Sequence, residues 1–276
     1  MNKHMGSAIA WIALAVIALM VLGAVFAPVL APYGPNEQNI MVRLKGPMYK
    51  ADGVPLNLLG TDELGRDILS RLIYGSRSSI MVGILTALFS GGIGVVAGLC
   101  SGYFKKVDAV VMRLADIQLA FPSMLLALAF VAVIGGGFWN LIIILGITGW
   151  VSFSRVVRSE VLSLKSSDYI LAARTCGIGH FRILWRHILP NVIAPMLTIF
   201  TSQVASAIIS EASLSFLGLG IAPTTPTWGN MLHSGQLYMA NAWWMSLFPG
   251  ICIMLIVLSI NILGDVIRDY FDPKTR

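Results

Sequence analysis

Six basic side chains gather in one stretch of this apolar chain, residues 165–191, between two long hydrophobic segments. An arginine inside the hydrocarbon of a bilayer is costly, so this stretch belongs at a membrane surface, where charged groups stay in water. Such a surface can bind a soluble protein; the alternative is an amphipathic connector that has no partner. The basic residues are Lys165, Arg174, His180, Arg182, Arg186 and His187.

A second group that could do chemistry is Glu211, the only acid between Asp168 and Asp265. An ionisable side chain at membrane depth is a functional candidate by default. Together with a polar stripe on the same predicted helix, it could line a translocation path or its outer gate. A structural acid, held by hydrogen bonds to its neighbours, explains Glu211 equally well. The stripe consists of Ser202, Gln203, Ser206 and Ser210.

The motifs of common catalytic sites are missing from the sequence. It has neither a G-x-x-x-x-G-K-[ST] phosphate loop nor the H-E-x-x-H and G-x-S-x-G patterns, so it does not bind ATP in the Walker manner. The three cysteines lie far apart and the four histidines form no spaced set, which predicts no disulfide framework and no metal site. We therefore expect neither catalytic residues nor a cofactor on this chain, and a partner must hydrolyse the nucleotide if transport runs uphill.

The composition is that of an integral membrane protein. Of 276 residues, 57% are hydrophobic and 12% are charged, about half the charged fraction of a soluble domain. The net charge of +6 does not indicate nucleic acid binding, because the cations line the ends of apolar segments. The sequence therefore predicts an all-α, polytopic bundle of transmembrane helices surrounded by lipid.

Six apolar segments are long enough to cross a bilayer as helices. Thirteen of the nineteen Lys and Arg residues then fall on one side, which the positive-inside rule assigns to the cytoplasm together with both termini. The first segment is too long for the apolar part of a cleaved signal peptide, and Pro28 stands where cleavage would be expected. The predicted spans cover residues 7–30, 78–102, 117–134, 138–157, 192–213 and 245–264.

These spans divide the chain into four parts. Residues 1–30 form an N-terminal transmembrane helix, and the polar, Pro- and Gly-rich residues 31–77 form an external loop. Residues 78–268 form a five-helix core that contains the basic cytoplasmic loop 165–191. Residues 269–276 form a cytoplasmic tail.

Local signals predict a helix–turn–helix in the basic loop. A short helix covers Asp168 to Cys176, and Gly177 and Gly179 break it, since glycine tolerates the positive φ of a helix stop. A second helix follows and ends at Pro190. Its apolar stripe, at spacings of three and four residues, consists of Phe181, Leu184, Trp185 and Ile188, with Arg182 and Arg186 on the other face.

Three signals concern the packing of the spans. Small residues share one face of the second span, where they allow another helix to approach closely; they are Gly91, Gly94 and Gly98. Pro122 bends or begins the third helix, because proline has no N–H to donate. Asp116 is predicted to pair with Arg113 rather than to relay protons.

On the external side, Thr61 is predicted to be the N-cap of a helix with Asp62 and Glu63 in its first turn. This segment could guide an external protein or gate the outer mouth, or it could cap the ends of the spans. The second external loop, residues 214–244, lacks Lys and Arg, and its Pro and Gly residues deny it a long helix. Its aromatic residues suit either an interfacial belt or a packed cap; they are Trp228, Tyr238, Trp243 and Trp244.

The sequence resembles the permease subunits of ABC importers, in the branch that takes up dipeptides, oligopeptides or nickel. Ala172-Ala173, Gly177 and Ile188-Leu189-Pro190 are similar to the EAA loop of that family. L-G-T-D-E-L-G-R-D at 59–67 and S-L-S-F-L-G-L-G at 213–220 resemble two further family segments. The resemblance runs from residue 59 to residue 269. The usual Glu before the Ala pair is Leu171 here, which removes one ion pair that a Glu could make with the ATPase.

This resemblance implies the fold of a type I ABC importer permease and a non-catalytic subunit of the bacterial inner membrane. The implied partners are a second homologous permease in a heterodimer, two cytoplasmic ATPases that carry ATP and Mg, and an external solute-binding protein. In that family the loop is the coupling helix that docks in a groove of the ATPase. The coupling residues carried over are Ala172, Ala173, Arg174, Gly177, Ile178, Phe181, Arg182 and Pro190, and the external contacts are Asp62, Arg66 and Asp67.

The transported solute stays open at this point. A peptide is favoured over nickel because no His or Cys cluster marks a metal path, and a metal chelate or glutathione are alternatives. A stand-alone secondary transporter is a rival of another class, with Glu211 as its coupling acid, although the sequence shows no clear internal repeat. A second rival is a membrane scaffold that recruits a partner through the loop without transporting anything.

Overall fold

The computed structural model describes residues 3–50 and 56–271, and the regular structure of this part is helical apart from two isolated β-bridges. The predicted all-α bundle is thereby confirmed, while residues 272–276 of the predicted tail lie outside the described residues. A 3₁₀ turn covers Ile40–Val42, and a π-helical segment covers Ile183–Ile188. The α-helices are α1 Lys3–Val25, α2 Ala27–Leu30, α3 Ile68–Tyr103, α4 Lys105–Leu119, α5 Ser123–Ile134, α6 Phe138–Lys165, α7 Asp168–Thr175, α8 His180–Arg182, α9 Leu189–Phe216, α10 Trp228–Gln236 and α11 Trp244–Phe271.

Five helical stretches within the described ranges are long and apolar enough to cross a bilayer: α1, α3, α6, the run from α8 through α9, and α11. The predicted third span is a bent pair, in which α4 and α5 meet at 89°. Pro122 is the N-cap of α5, so the proline begins the third helix as predicted. α5 alone has 12 residues and is about 18 Å long, shorter than the bilayer core of about 30 Å. α4 and α5 would therefore have to cross the bilayer together to form a sixth span.

Several spans are longer than their apolar runs indicate. α3 begins at Ile68 rather than residue 78, because Asp67 caps it by accepting a hydrogen bond from the backbone N of Ser70 at 2.8 Å. α6 continues to Lys165, eight residues beyond the predicted end at 157. The added turns of both helices contain charged residues. Charged groups stay in the polar region at the membrane surface, so these ends of the helices lie beyond the hydrocarbon.

The packing of α3 on α6 confirms the predicted role of the small residues. A Cβ placed on Gly98 would lie 2.6 Å from Val157 Cβ and 2.7 Å from the carbonyl oxygen of Ser154. Gly94 and Gly102 make the same kind of backbone approach one turn to either side. Side chains at these positions would push the two helices apart, so the glycines set the distance between them.

Three predicted local features are wrong: a helix cap, an ion pair and a helix end. Thr61 does not cap a helix, because its side chain accepts from Lys45 N at 2.9 Å and bonds the carbonyl of Val42, while Asp67 takes the N-cap. Asp116 pairs with Arg155 of α6 at 2.6 Å, not with Arg113. In both cases the partner comes from another part of the chain, which local sequence rules do not reveal.

The third wrong prediction is that the second loop helix ends at Pro190. The chain stays helical from α8 to the end of α9, and Pro190 lies in the first turn of α9. It stands where π-helical bonding gives way to α-helical bonding, a change of register that accommodates a residue without an N–H.

The aromatic residues of the second predicted external loop form a packed cap rather than a belt. Trp228 and Trp244 are buried in the apolar cluster formed by residues of α3, α9, α10 and α11. The indole of Trp228 donates to the carbonyl of Leu72, and that of Trp244 donates to the carbonyl of Thr61. Trp243 is exposed and is the member of the set that suits a membrane interface.

Candidate functional site

The first helix of the basic loop, α7, ends as its sequence predicts. Gly177 has φ +76°, the left-handed conformation in which glycine has no steric penalty. The N–H of Ile178 donates to the carbonyl of Ala173, and the N–H of Gly177 donates to that of Arg174. This pair of bonds is the Schellman motif, which satisfies the last carbonyls of the helix and turns the chain sharply. Gly179 has an ordinary extended φ of −61°.

The inner face of the loop packs on the ends of the spans that lie next to it. Ala173 is 9% exposed and belongs to one apolar cluster with Leu99 of α3 and Val157 of α6. Ala172, its neighbour, is exposed. The two alanines therefore have different environments: Ala173 holds the loop to its own spans, and Ala172 faces outward. The other buried loop residues in this cluster are Ile170, Ile183, Leu184 and Ile188.

The outer face of the loop is apolar and exposed. Phe181 is 74% exposed and Trp185 is 49% exposed, with their ring centroids 5.8 Å apart. We call the following exposed residues of the two loop helices the docking face: Tyr169, Leu171, Ala172, Phe181, Arg182 and Trp185. Large exposed apolar patches rimmed by polar groups mark interaction sites on proteins.

The predicted stripe on the second loop helix is correct for two residues and wrong for two. Leu184 and Ile188 are buried, whereas Phe181 and Trp185 are exposed. The prediction assumed α-helical spacing, but residues 183–188 form a π-helix, in which hydrogen bonds join residues five apart. Ile183 and Ile188, five apart, consequently share the buried face.

Tyr103 is a residue of this site that the sequence analysis missed. It ends α3 and is 4% exposed, and its hydroxyl lies 2.8 Å from Nδ1 of His180. Arg174 Cζ and Lys165 Nζ lie 4.8 and 5.3 Å from its ring centroid. Lys165 also donates to the carbonyl of Tyr103 at 2.5 Å. The only signal in the sequence is a tyrosine at the end of an apolar span, which does not point to a loop more than sixty residues later.

A cavity of about 280 Å³, lined by both polar and apolar residues, lies between α3, α4, α5, α6 and α9. It contains two of the three residues predicted for the translocation path, Gln203 and Ser210. Gly149 of α6 leaves room for Gln203, since a Cβ there would meet its amide nitrogen. The polar residues that line the cavity are Thr86, Ser123, Thr148, Ser152, Gln203, Ser206 and Ser210.

Glu211, the third predicted path residue, lies outside this cavity. Its side chain is 0% exposed, and it accepts hydrogen bonds from Ser215 Oγ at 2.8 Å and from Ser79 Oγ at 3.5 Å. Ser79 Oγ in turn accepts from the backbone N of Trp228 at 3.3 Å. The carboxyl group thus joins α3 and α9 next to α10, an arrangement that favours the structural alternative.

The three predicted external contact residues are buried within the external loop. Arg66 pairs with Asp62 at 2.5 Å and with Glu63 at 2.7 Å. Asp67 accepts from Asn57 Nδ2 at 2.9 Å and from both the N and the Oγ of Ser70 at 2.8 Å. Buried charges need partners: Asp62 and Arg66 pair with each other, and Asp67 is stabilised by its hydrogen bonds. Their side chains hold the loop on α3, so contact with an external protein stays a prediction for them.

Comparison with known proteins identifies the family of the chain. Residues 79–276 match the family described as binding-protein-dependent transport system inner membrane component, and residues 7–47 match the N-terminal transmembrane domain of oligopeptide transport permease C. The chain belongs to this transport family. The predicted resemblance is therefore confirmed, and the protein is a multi-pass permease subunit of an ABC importer.

Several curated relatives match the permease over nearly its full length. The di/tripeptide transport system permease protein DppC of Pseudomonas aeruginosa (strain UCBPP-PA14) is 43% identical, over 94% of this chain and 86% of that one. The glutathione transport system permease protein GsiD of Pectobacterium atrosepticum is 39% identical, over 94% and 85%. The oligopeptide transport system permease protein OppC of Bacillus subtilis is 36% identical, over 100% and 89%.

Solved structures confirm the fold. A chain of the MetNI methionine ABC transporter, in an inward-facing conformation, superposes with a TM-score of 0.62 at 16% identity. The match covers 74% of the permease and 98% of that chain. The helical bundle is accordingly that of ABC importer permeases, as the sequence predicted.

Proposed function

We propose that the permease forms half of the translocation pore for di- or oligopeptides that an external binding protein delivers. A second, homologous permease supplies the other half, and two cytoplasmic ATPases, which hold ATP and Mg, dock on the loops of the two permeases. Both termini are then cytoplasmic. The names of the relatives support a peptide solute: they include a di/tripeptide, an oligopeptide and a glutathione permease.

The docking face is the observation that carries the ATPase part of the proposal. Burial of a side chain such as Phe181 or Trp185 in a partner would contribute about 1.5–3 kcal/mol. Aromatic and arginine side chains are the commonest anchors of protein interfaces, and Arg182 stands between these two rings in sequence. The buried inner face fixes the same loop on the spans, so a force applied to the docking face reaches α3, α6 and α9.

The chemistry of the cavity supports the solute part of the proposal. The residues that line it supply hydroxyl and amide groups, which both donate and accept hydrogen bonds, as a peptide backbone does. Within the described ranges, none of its lining residues carries a charge. A neutral, hydrogen-bonding wall accepts peptides whose side chains differ, which leaves the choice among them to the binding protein.

Reconstitution of the complete complex in proteoliposomes tests this function. We expect ATP-dependent uptake of di- and tripeptides that requires the ATPases and the binding protein, with glutathione and nickel measured as alternative solutes. Uptake that is driven by an ion gradient in the absence of ATPase would contradict the proposal and favour a secondary transporter. An assembled complex without uptake of any solute would favour the scaffold.

A further inference from the structure

The loop meets the spans in two different ways. It is joined covalently to α6 through Ser166 and Ser167, and it continues without a break into α9. It meets α3 only through side-chain and main-chain contacts, and the polar ones converge on Tyr103. Movement of the loop would therefore carry α6 and α9 directly, whereas α3 follows only through non-covalent contacts: its packing on α6, the apolar cluster and the polar contacts of Tyr103.

We propose that Tyr103 is a positioning residue of the importer, which makes the inner end of α3 follow the loop when the ATPases move it. Tyr103 is buried and does not line the cavity, so it acts through the residues that it holds. This inference rests on the proposed docking of an ATPase at the loop. It adds a defined route by which movement of the docked loop is transmitted to the cavity.

The contacts of Tyr103 are of two chemical kinds. The hydroxyl is hydrogen-bonded to His180, at the start of the second loop helix. The ring attracts two cations, Arg174 of α7 and Lys165 at the end of α6. The Nε of Arg174 is buried and has no hydrogen-bond partner among the described residues, so the ring is a principal partner of that guanidinium. One side chain thus holds both loop helices and the end of α6.

α3 then links Tyr103 to the cavity. Thr86, which lines the cavity, lies seventeen residues earlier on the same helix, about 26 Å along its axis. Between these two points α3 is packed on α6 through Gly94 and Gly98, which keeps the helix in contact with its neighbour. A shift of Tyr103 is consequently transmitted to the wall of the cavity by a continuous helix.

The test measures the import ratio, which is the number of solute molecules imported per ATP hydrolysed by the complete complex in proteoliposomes. The amount of ATPase that co-purifies with the permease is a separate readout. Tyr103→Leu removes the hydroxyl and the ring. We expect it to retain the ATPase and to lower the import ratio about tenfold, because it loses two cation–π contacts and one hydrogen bond. Tyr103→Phe keeps the ring and should lose about two- to fivefold.

Phe104→Leu is the matched control. Phe104 is the next residue and packs edge-on against Tyr103, but it has no hydroxyl and is more exposed. We expect this variant to keep the wild-type ratio. Equal losses in Phe104→Leu and Tyr103→Leu would overturn the proposal, as would an unchanged ratio in Tyr103→Leu. If Tyr103→Leu fails to assemble, Tyr103→Phe decides: an unchanged ratio there overturns the proposal.

A double-mutant cycle separates a positioning role from general loss of structure. Arg174→Met removes the cation that lies over the ring. If the two residues act through one contact, Tyr103→Leu combined with Arg174→Met lowers the ratio no further than the worse single variant. Multiplicative losses would overturn the proposal. Failure of the wild-type chain to bind any ATPase would instead overturn the proposed function itself, since the readout of docking is independent of the ratio.

Discussion

Ala172 and Ala173 are adjacent in the sequence but lie in different environments: Ala172 is exposed on the docking face, and Ala173 is buried against α3 and α6. A resemblance to other permeases marks both as coupling residues and does not separate them. The structure does, and it changes what a charge at each position should do.

Ala172→Asp should weaken docking of the ATPase while leaving the permease folded. The new carboxylate lies on the exposed face, where it would be desolvated only in the complex, so we expect about tenfold weaker binding. Ala173→Asp should instead destabilise the loop by about 3–5 kcal/mol, because it buries an unpaired charge. Co-purification of the ATPase and thermal stability of the permease measure the two effects. Equal thermal stability of the two variants would contradict the assigned orientations.

Gly177→Ala should loosen the turn of the loop. An L-residue at φ +76° costs about 1–2 kcal/mol, and this lowers the population of the docking-competent loop. Gly179→Ala is the matched control, since Gly179 has φ −61° and open space around its Cβ position. ATPase activity stimulated by the binding protein and solute should fall in Gly177→Ala and not in Gly179→Ala. The same fall in both variants would show that the left-handed turn is not the reason.

Glu211→Gln should lower stability and leave the solute range unchanged. The carboxylate is buried among hydroxyl groups that donate to it, and an amide replaces one acceptor by a donor, at a cost of about 1–3 kcal/mol. Gln203→Ala lies in the cavity and should change the relative uptake of different peptides by about two- to tenfold. Competition assays with several peptides separate the two outcomes. A changed solute range in Glu211→Gln would return Glu211 to the translocation path.

Gly98→Leu should separate α3 from α6. The added side chain meets Val157 Cβ and the Ser154 carbonyl within 3 Å, and overpacking of this kind costs about 1–3 kcal/mol or more. Gly92 lies on the same helix with nothing within 4 Å of its Cβ position, so Gly92→Leu is the control and should change stability by less than about 0.5 kcal/mol. Size-exclusion chromatography of heated, solubilised complex measures the difference. Equal losses in both variants would contradict the proposed packing role of Gly98.

What the sequence could predict is local. The end of α7 at Gly177 follows from the φ that glycine allows, and the close approach of another helix to Gly94 and Gly98 follows from small residues on one helix face. Both features depend on residues a few positions apart, which a single sequence displays. The first helix of the basic loop accordingly ends at Thr175, one residue before its predicted end at Cys176.

What the sequence could not predict depends on distant partners. Asp116 pairs with Arg155 because α4 lies along α6, and Thr61 bonds Val42 because the external loop folds back on itself. The π-helical segment moved Phe181 and Trp185 to the exposed face, since its hydrogen bonds join residues five apart. Tyr103 gained its role only from residues that follow it by more than sixty positions.

The side of the membrane on which the loop lies is the central claim, and Cys176 can report it directly. This native cysteine is exposed at the end of α7, whereas Cys100 and Cys252 are half-buried and can be replaced by alanine. A membrane-impermeant maleimide should label Cys176 in inside-out vesicles stripped of ATPase, and bound ATPase should protect it. Labelling of Cys176 in intact spheroplasts, from the external side, would contradict the account.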